Sequence, residues 1–171
     1  MIRRLFQTLL AVGTAGLPVS PGHRALASEE NVAQYSQEAT AQVEFVIVKS
    51  TVNYDEARTT AAEASRRLRL PMKLRDLSPT PEGGLSFPKA ICEKSGWDAP
   101  CYVARGRYDD GAYVSIEHTS GYPEFKPNLY IVVVASDRKG SALTKKAARA
   151  ARKVFPDAYA RVAQVYLGCI H

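Results

Sequence analysis

The sequence predicts an α+β domain built on a βαββαβ sheet with both helices on one face. A strongly apolar strand followed by an amphipathic helix occurs twice, and the two strand–helix units match at a constant offset of 86 residues, which aligns Ser50 with Ser136 and Ala57 with Leu143. A long segment rich in proline, glycine and aromatic residues, 78–128, separates the two units. We therefore expect the units to share one antiparallel sheet, with that segment inserted between the second and third strands.

The first unit begins at residues 43–49, VEFVIVK, whose composition is typical of a strand. Asn53 is a candidate N-cap for a helix over 54–70, and Pro71 ends that helix. Its apolar face is formed by Ala57, Ala61, Ala64 and Leu68. Residues 73–77 are the predicted second strand.

The inserted segment is predicted to carry a β-hairpin. Residues 102–108 and 112–118 alternate in polarity on either side of Asp109-Asp110-Gly111, which is a turn sequence. The flanking stretches 78–89 and 120–128 hold several prolines and glycines, so they are predicted to be loops.

The second unit starts with the strongest predicted strand, residues 129–135, LYIVVVA. Both alternating sets of side chains in it are apolar, so we expect it to be buried on both faces. Residues 141–155 predict a helix, and residues 160–167 a final strand. The inward-facing residues of the helix are predicted to be Leu143, Ala147, Ala150 and Val154.

The framework of the two units resembles the SPOR domain, a sporulation-related repeat of exported bacterial envelope proteins. The resemblance rests on FVIV (45–48) with YDEA (54–57), and on YIVV (130–133) with the helix at 142–154. It implies a ferredoxin-like, SPOR-like βαββαβ fold that binds peptidoglycan glycan strands on the open face of the sheet. The large insertion departs from the family pattern, and its hairpin is a candidate to cover that face.

Residues 1–27 have the pattern of a secretory signal peptide. Arg3 and Arg4 give a charged start, the apolar stretch that follows is too short to span a bilayer, and Ala25-Leu26-Ala27 matches a signal-peptidase site. We expect cleavage after Ala27, a linker at 28–42 and a single α+β domain at 43–171, in the periplasm or secreted. Both Sec and twin-arginine export remain open.

The charge is mildly basic once the signal peptide is set aside. The formal net charge is +6, and Arg3, Arg4 and Arg24 leave with the signal, so the mature chain carries 6 − 3 = +3. A nucleic-acid-binding protein usually shows a stronger and more clustered excess, so we expect no nucleic acid partner. We also expect no stable membrane anchor. The oligomeric state is not predicted.

Three cysteines lie in the mature chain, which in an oxidising compartment favours a disulfide. Cys92 and Cys101 enclose a short loop with Gly96 and Pro100, so we favour this pair; a bridge from either to Cys169 stays open. Cys169 would otherwise be a terminal thiol or would form an intermolecular disulfide.

The sequence contains no catalytic motif of high specificity, such as HExxH, GxSxG, a P-loop or a paired CxxC. Cys169 and His171 are two metal-ligating residues at a chain end without a third ligand, and Glu117 and His118 are adjacent on a strand and point to opposite faces. We therefore predict no catalytic residues, no metal site, no cofactor and no enzymatic activity.

The candidate binding residues lie in the insertion and are of the types that anchor interfaces or stack on sugar rings. They are Trp97, Arg105, Arg107, Tyr108, Tyr113 and Tyr122. The structural alternative is that Trp97 and several tyrosines pack the insertion onto the sheet. Basic residues along the second helix are typical of a solvated face.

Taken together, these features predict an exported, non-catalytic binding protein of the cell envelope. Its ligand would be a cell-wall glycan or an envelope protein. The alternative is a secreted inhibitor or immunity-type protein that acts through residues 92–118.

Overall fold

The computed structural model describes residues 39–107 and 109–168, which form an α+β fold with three helices. The predicted signal peptide, Tyr108, Cys169 and His171 lie outside the described residues. In chain order the elements are β1 (Thr40–Thr51), α1 (Tyr54–Leu68), β2 (Ser78–Pro79), β3 (Leu85–Ser86), α2 (Lys89–Lys94), β4 (Ser115–His118), a 3-10 turn (Thr119–Gly121), β5 (Tyr130–Arg138), α3 (Ala142–Arg152) and β6 (Tyr159–Tyr166).

The main sheet has four strands in the order β4-β5-β1-β6, and every neighbouring pair is antiparallel. The two long apolar strands predicted from the sequence, β1 and β5, pair at its centre. β1 begins at Thr40, within the predicted linker 28–42. β2 and β3 form a separate two-stranded sheet in a stretch predicted to be a loop.

Side-chain caps define where the two long helices begin. The Asn53 Oδ1 atom accepts hydrogen bonds from the backbone N–H groups of Asp55 (2.8 Å) and Glu56 (3.1 Å), as its predicted role as N-cap requires. The Ser141 Oγ atom accepts from the N–H of Thr144 at 3.1 Å, and so caps α3. Arg69, with φ 55°, ends α1 in the left-handed region.

The second strand of the sheet is not where the sequence predicted it. Residues 73–77 form no strand, because Arg75 and Asp76 take left-handed φ angles of 57° and 58° that break an extended chain. Ser115–His118 pairs with β5 instead, so part of the predicted insertion belongs to the sheet. Met72 makes an isolated parallel bridge to Val114 beside it.

The predicted hairpin of residues 102–108 and 112–118 is wrong. Residues 102–107 form no strand. This stretch crosses the sheet instead of pairing with β4, because the side chain of Arg105 is fully buried among groups of β4 and β5. The disulfide between Cys92 and Cys101 is present, as the spacing favoured, with an S–S distance of 2.06 Å.

The apolar core lies on both faces of the sheet. One cluster packs α1 and α3 against Val46, Val48, Val132 and Val134, and the other buries Phe45, Ile47, Ile131 and Val133 under residues of the insertion. Tyr130 through Ser136 of β5 are all buried, which confirms the prediction of a central strand covered on both sides.

The helix faces are predicted correctly for α1 and wrongly for α3. Ala57, Ala61 and Ala64 of α1 are fully buried, as expected, and the fourth residue of the predicted face, Leu68, is half-buried. In α3 the buried residues are Thr144, Ala148 and Ala151, one position later than the predicted inward set. Leu143, Ala147 and Val154 are half-buried and Ala150 is exposed. Both stripes of α3 consist of small or apolar residues, so their identities alone did not decide which one meets the sheet.

Candidate functional site

The predicted binding residues divide into a buried group and a surface group. Arg105 (0 % exposed), Tyr122 (0 %) and Tyr113 (3 %) are buried in the protein. Trp97 and Arg107 are half-buried, and Tyr108 lies outside the described residues. The side chain of Arg105, predicted as a binding residue, is therefore not at the surface.

Arg105 is held by neutral acceptors from several parts of the chain. Its Nε donates to Ser136 Oγ at 2.9 Å, one terminal nitrogen donates to the Tyr113 carbonyl and to Ser115 Oγ, and the other donates to the Gly111 carbonyl at 2.8 Å. The guanidinium carbon lies 3.5 Å from the centroid of the Tyr113 ring, a cation–π contact. Burial lowers the pKa of Arg105 from its ordinary value. These contacts fix residues 102–107 to the sheet.

A second buried group centres on Glu117 of β4. Its Oε2 atom accepts hydrogen bonds from Arg75 Nη2 at 2.6 Å, from the Tyr102 hydroxyl at 2.7 Å and from the backbone N–H of Arg105 at 3.2 Å. Burial and then the carboxylate of Glu117 raise the pKa of Tyr102 well above its ordinary value. Burial alone would lower the pKa of Arg75, but Glu117, with Tyr102 and other neighbours, raises it. The Glu117 carboxylate thus joins three separate segments of the chain.

Aromatic rings complete the covering of the sheet. The Phe45 ring lies 4.8 Å from that of Tyr122 and 6.1 Å from that of Phe125, both edge-on. The Tyr122 hydroxyl donates to the Arg105 carbonyl at 3.0 Å. We call residues 102–107 and 119–125 together the cover. The cover occupies the face of the sheet that lies opposite the helices.

What remains open beside the cover is small. A cleft of about 190 Å³ lies between the cover and β6, lined by Tyr102, Arg107 and Tyr166 among others. Arg107 lies over the ring of Tyr166, 4.9 Å from its centroid, and donates a hydrogen bond to the Gly168 carbonyl. This cleft is below the usual size of a ligand pocket, about 300–1,000 Å³.

A larger opening lies on the helix side of the sheet, between α1 and α3. This groove has a volume of about 510 Å³. Its floor and walls are almost entirely apolar and include Leu68, Leu70, Val134, Leu143, Ala147 and Ala150. Three of these, Leu143, Ala147 and Ala150, are residues that the sequence predicted to face the core. They line the groove because α3 turns its other stripe toward the sheet.

Basic side chains surround the groove. Lys146 contributes to its lining, and α3 contains no acidic residue. Arg66 and Arg67 lie in the last turn of α1, just before Leu68 of the lining, and are exposed. The guanidinium carbon of Arg67 lies 5.5 Å from the centroid of the Phe155 ring, and so links α1 to the segment that follows α3.

A polar opening of about 600 Å³ lies near the start of α1 and contains Asp55, Arg58, Arg75 and Asp76. Its charges are mixed in sign. Arg75 already forms an ion pair with Glu117 and donates a hydrogen bond to the Val103 carbonyl at 3.0 Å. The opening therefore offers little free charge of one sign to a ligand.

The chemistry-bearing residues do not converge. Among residues 39–107 and 109–168 there is no group of three His, Cys, Asp or Glu residues that could hold a metal ion. Glu117 points to the cover, whereas His118 accepts from the N–H of Ser120 and packs on the ring of Tyr130. Burial lowers the pKa of His118.

Comparison with known proteins gives no family. No family model, no curated protein and no solved structure matches this chain. Within the described part of the chain, no helix is long and apolar enough to cross a bilayer. The functional interpretation therefore rests on the geometry of the protein itself.

The groove is the surface that sequence reasoning missed. The sequence of α3 contains two stripes of small or apolar residues, one position apart. Thr144, Ala148 and Ala151 face the sheet, and Leu143, Ala147 and Ala150 line the groove. Such a double stripe indicates a helix with two apolar neighbours, of which the sheet supplies one. The predicted binding residues on the insertion, in contrast, are largely used to attach the cover.

Proposed function

We propose that this protein is an exported, non-catalytic binding domain of the cell envelope whose ligand is an envelope protein. The observation that carries the proposal is the distribution of apolar surface. The sheet face opposite the helices is sealed by the cover, whereas the groove between α1 and α3 remains open and apolar. An apolar opening of this size is the default candidate for a binding site.

Export is supported by the disulfide as well as by the sequence of residues 1–27. A disulfide between Cys92 and Cys101 is typical of proteins in oxidising compartments and rare in the cytosol. A periplasmic or secreted location, with cleavage after Ala27, is therefore part of the proposal.

We further propose that the fold is the ferredoxin-like, SPOR-like βαββαβ arrangement, with β1, β4, β5 and β6 as its four strands. The strand order β4-β5-β1-β6 and the uniformly antiparallel pairing support this assignment. The insertion then lies between α1 and the second strand of the arrangement, and not between its second and third strands.

Of the two ligands considered, the cover disfavours the glycan. A glycan strand on the sheet face would have to displace Tyr122 and Phe125 from Phe45, and Arg105 from its acceptors. Breaking such buried hydrogen bonds costs about 1–3 kcal/mol for each group left without a partner. An envelope protein that docks in the open groove requires no such rearrangement.

Site-specific cross-linking in cells tests the proposal. A photo-reactive lysine analogue at Lys146, which is exposed in the groove lining, is expected to give a discrete cross-linked species. The same amino acid at Ala62, exposed on α1 outside the groove lining, is the control. An excess of the purified domain should compete the Lys146 product away, and a domain carrying Ala147→Trp should not. Equal cross-linking at both positions would contradict the proposal, as would retention of the domain on purified sacculi through the sheet face.

A secreted inhibitor or immunity-type protein is the second candidate. One observation favours it: Trp97 is half-buried on a loop that the disulfide braces, next to exposed Asp98. A rigid loop with a partly exposed tryptophan can anchor a protein interface.

A further inference from the structure

We propose that the groove between α1 and α3 binds an amphipathic helix with an acidic outer face, supplied by the partner protein. This inference rests on the proposed function, because it names the chemistry of the partner. In helix-in-groove recognition, the apolar face of a helix enters a hydrophobic groove and its polar face stays at the rim. Shape and charge both point to this occupant.

The shape of the groove suits a helix. Leu143, Ala147 and Ala150 line one wall over two helical turns, about 10 Å. Small side chains such as Ala147 and Ala150 allow another helix to approach closely, and Leu68 and Leu70 provide a larger apolar wall opposite. A partner helix placed here would cover Leu143, Ala147 and Ala150, the stripe of α3 that does not face the sheet.

The charged residue of the groove lining, Lys146, is basic, and so are the other charged residues of α3. On α3 and its C-cap every charged residue is basic and exposed: Lys145, Lys146, Arg149, Arg152 and Lys153. At the end of α1, Arg67 and Arg69 flank Leu68 of the lining in the sequence and are exposed. Glu63 is the acidic residue near them, and it is bound to Arg67 at 2.9 Å. A partner with carboxylates beside its apolar face would complement this rim.

A bilayer surface fits the same residues less well. Insertion into the headgroup region requires apolar side chains that protrude between basic ones. Here Leu68, Leu70 and Leu143 are half-buried in a recess, and the exposed apolar residues of the lining, Ala112, Ala142 and Ala150, are small. A convex partner is therefore favoured over a membrane.

A second copy of the chain is also disfavoured as the occupant. Docking through its own α3 would bring two helices without acidic residues into contact. Like charges at such distances repel one another, and no acidic side chain on α3 is present to offset them.

Binding of model peptides to the purified mature domain tests the inference. The probe is a fluorescein-labelled helical peptide of about 18 residues with leucines at i, i+3, i+4 and i+7 spacing and glutamates elsewhere. Two matched peptides serve as controls: one replaces glutamate with lysine, and the other keeps the composition but scrambles the order. We expect the acidic helix to bind at least about tenfold more tightly than either control, and more weakly as salt rises from about 50 to about 500 mM.

Two pairs of variants locate the binding. Ala150→Trp fills the groove and should weaken binding at least about tenfold, whereas Ala62→Trp on the exposed side of α1 should not change it. The combination Lys145→Glu, Lys146→Glu and Arg149→Glu should also abolish the preference for the acidic peptide. The combination Lys89→Glu, Lys94→Glu and Lys126→Glu makes the same charge change at exposed positions outside the lining, and should keep the preference.

The outcomes separate the two proposals. Equal binding of acidic and basic peptides, or binding that Ala150→Trp leaves unchanged, overturns the acidic-helix inference. If the analogue at Lys146 still cross-links to a partner in cells, the proposed function survives that failure. Binding of the domain to anionic vesicles that Ala150→Trp abolishes, with no peptide binding, would overturn the inference in favour of a membrane surface.

Discussion

Ile47 of β1 lies opposite Val133 of β5, and each is the counterpart of the other in the sequence repeat. Replacing each residue of a neighbouring pair by its repeat counterpart gives another pair of the same sheet. Phe45 with Ser136 becomes Ile131 with Ser50, and both pairs are present in the sheet. An approximate two-fold axis therefore passes through the centre of the sheet, as expected if two copies of one strand–helix unit were fused and share a core. We regard this register as support for a duplication.

The first prediction concerns Arg105 as the attachment of the cover. Arg105→Met removes the side-chain donor from Ser136 Oγ, Ser115 Oγ and the buried Tyr113 carbonyl, so we expect a loss of about 3–5 kcal/mol in the free energy of unfolding. Urea denaturation measures it. Arg138→Met, at an exposed position, is the control and should change stability by less than about 0.5 kcal/mol. A loss below about 1 kcal/mol for Arg105→Met would contradict the role assigned to it.

The close approach of the cover to the sheet gives the second prediction. A Cβ atom on Gly106 would lie 3.1 Å from Phe45 Cζ and 3.2 Å from Val43 Cγ1, at a φ of +89°. Gly140 has a similar φ of +78°, but a Cβ there meets nothing within 4 Å. Both alanine variants bear the backbone strain, and only Gly106→Ala adds the clash, so it should be less stable than Gly140→Ala by about 1–3 kcal/mol. If the two variants lost equal amounts of stability in thermal or urea unfolding, the cover would be able to move away from the added methyl group without a free-energy penalty, which would contradict the prediction.

These contacts also show what the sequence could not reveal. The central strands, the N-cap Asn53 and the disulfide follow from local patterns, and the structure agrees with them. The position of the second strand does not follow from local patterns. Residues 73–77 and 115–118 are both short, and contacts with distant residues determine which of them pairs with β5. Arg75 and Asp76 break the earlier stretch, and Glu117 ties the later one to Tyr102 and Arg75.

The candidate site was missed for a related reason. The offset that relates the two strands does not relate the buried faces of the two helices. There the offset is one residue larger: the buried residues are Ala57, Ala61 and Ala64 in α1, and Thr144, Ala148 and Ala151 in α3. One residue corresponds to a rotation of about 100° around the helix. Because both stripes of α3 consist of small or apolar residues, only the tertiary structure identifies which one lines the groove.

The third prediction concerns the disulfide. In the chain-entropy model, the short loop closed by Cys92 and Cys101 contributes about 2–3 kcal/mol by restricting the unfolded chain. The double variant Cys92→Ala, Cys101→Ser should lose about that amount in urea unfolding while keeping the sheet, as judged by far-UV circular dichroism. The control is a reductant, which should lower the stability of the parent and leave the variant unchanged. A variant as stable as the oxidised parent would refute the estimate.

The fourth prediction is a pH dependence that originates at His118. Burial lowers the pKa of His118 in the folded protein, so the unfolded chain takes up its proton first as the pH falls. The stabilising contribution is thus fully present above the unfolded pKa of about 6.5 and is lost as the pH falls below it toward the folded value. Urea unfolding between pH 7.5 and pH 5 should show this loss in the parent protein. The two carboxyl groups with shifted pKa values, Glu56 and Asp110, start from 4.5 and 3.8 and contribute mainly at lower pH.

His118→Asn is the matched variant for that measurement. An asparagine oxygen can replace His118 Nδ1 as the acceptor for the N–H of Ser120, at 3.3 Å in the parent, and it does not titrate. The stability of the variant should therefore depend less on pH in this range than that of the parent. Parallel pH profiles for the two proteins would assign the dependence to another group.

The last prediction separates the two candidate functions at Trp97. If the disulfide loop anchors an inhibitor-type interface, Trp97→Ala should abolish capture of the protein partner, because a central tryptophan often contributes 2 kcal/mol or more, about thirtyfold in affinity. If the groove is the binding surface, Trp97→Ala should leave capture unchanged while Ala147→Trp removes it. Pull-down from periplasmic extract with both variants, each checked for parental stability, measures the two effects side by side. Loss of capture in Trp97→Ala alone would replace the proposed function with the inhibitor, since α1 and α3 would then lie away from the partner.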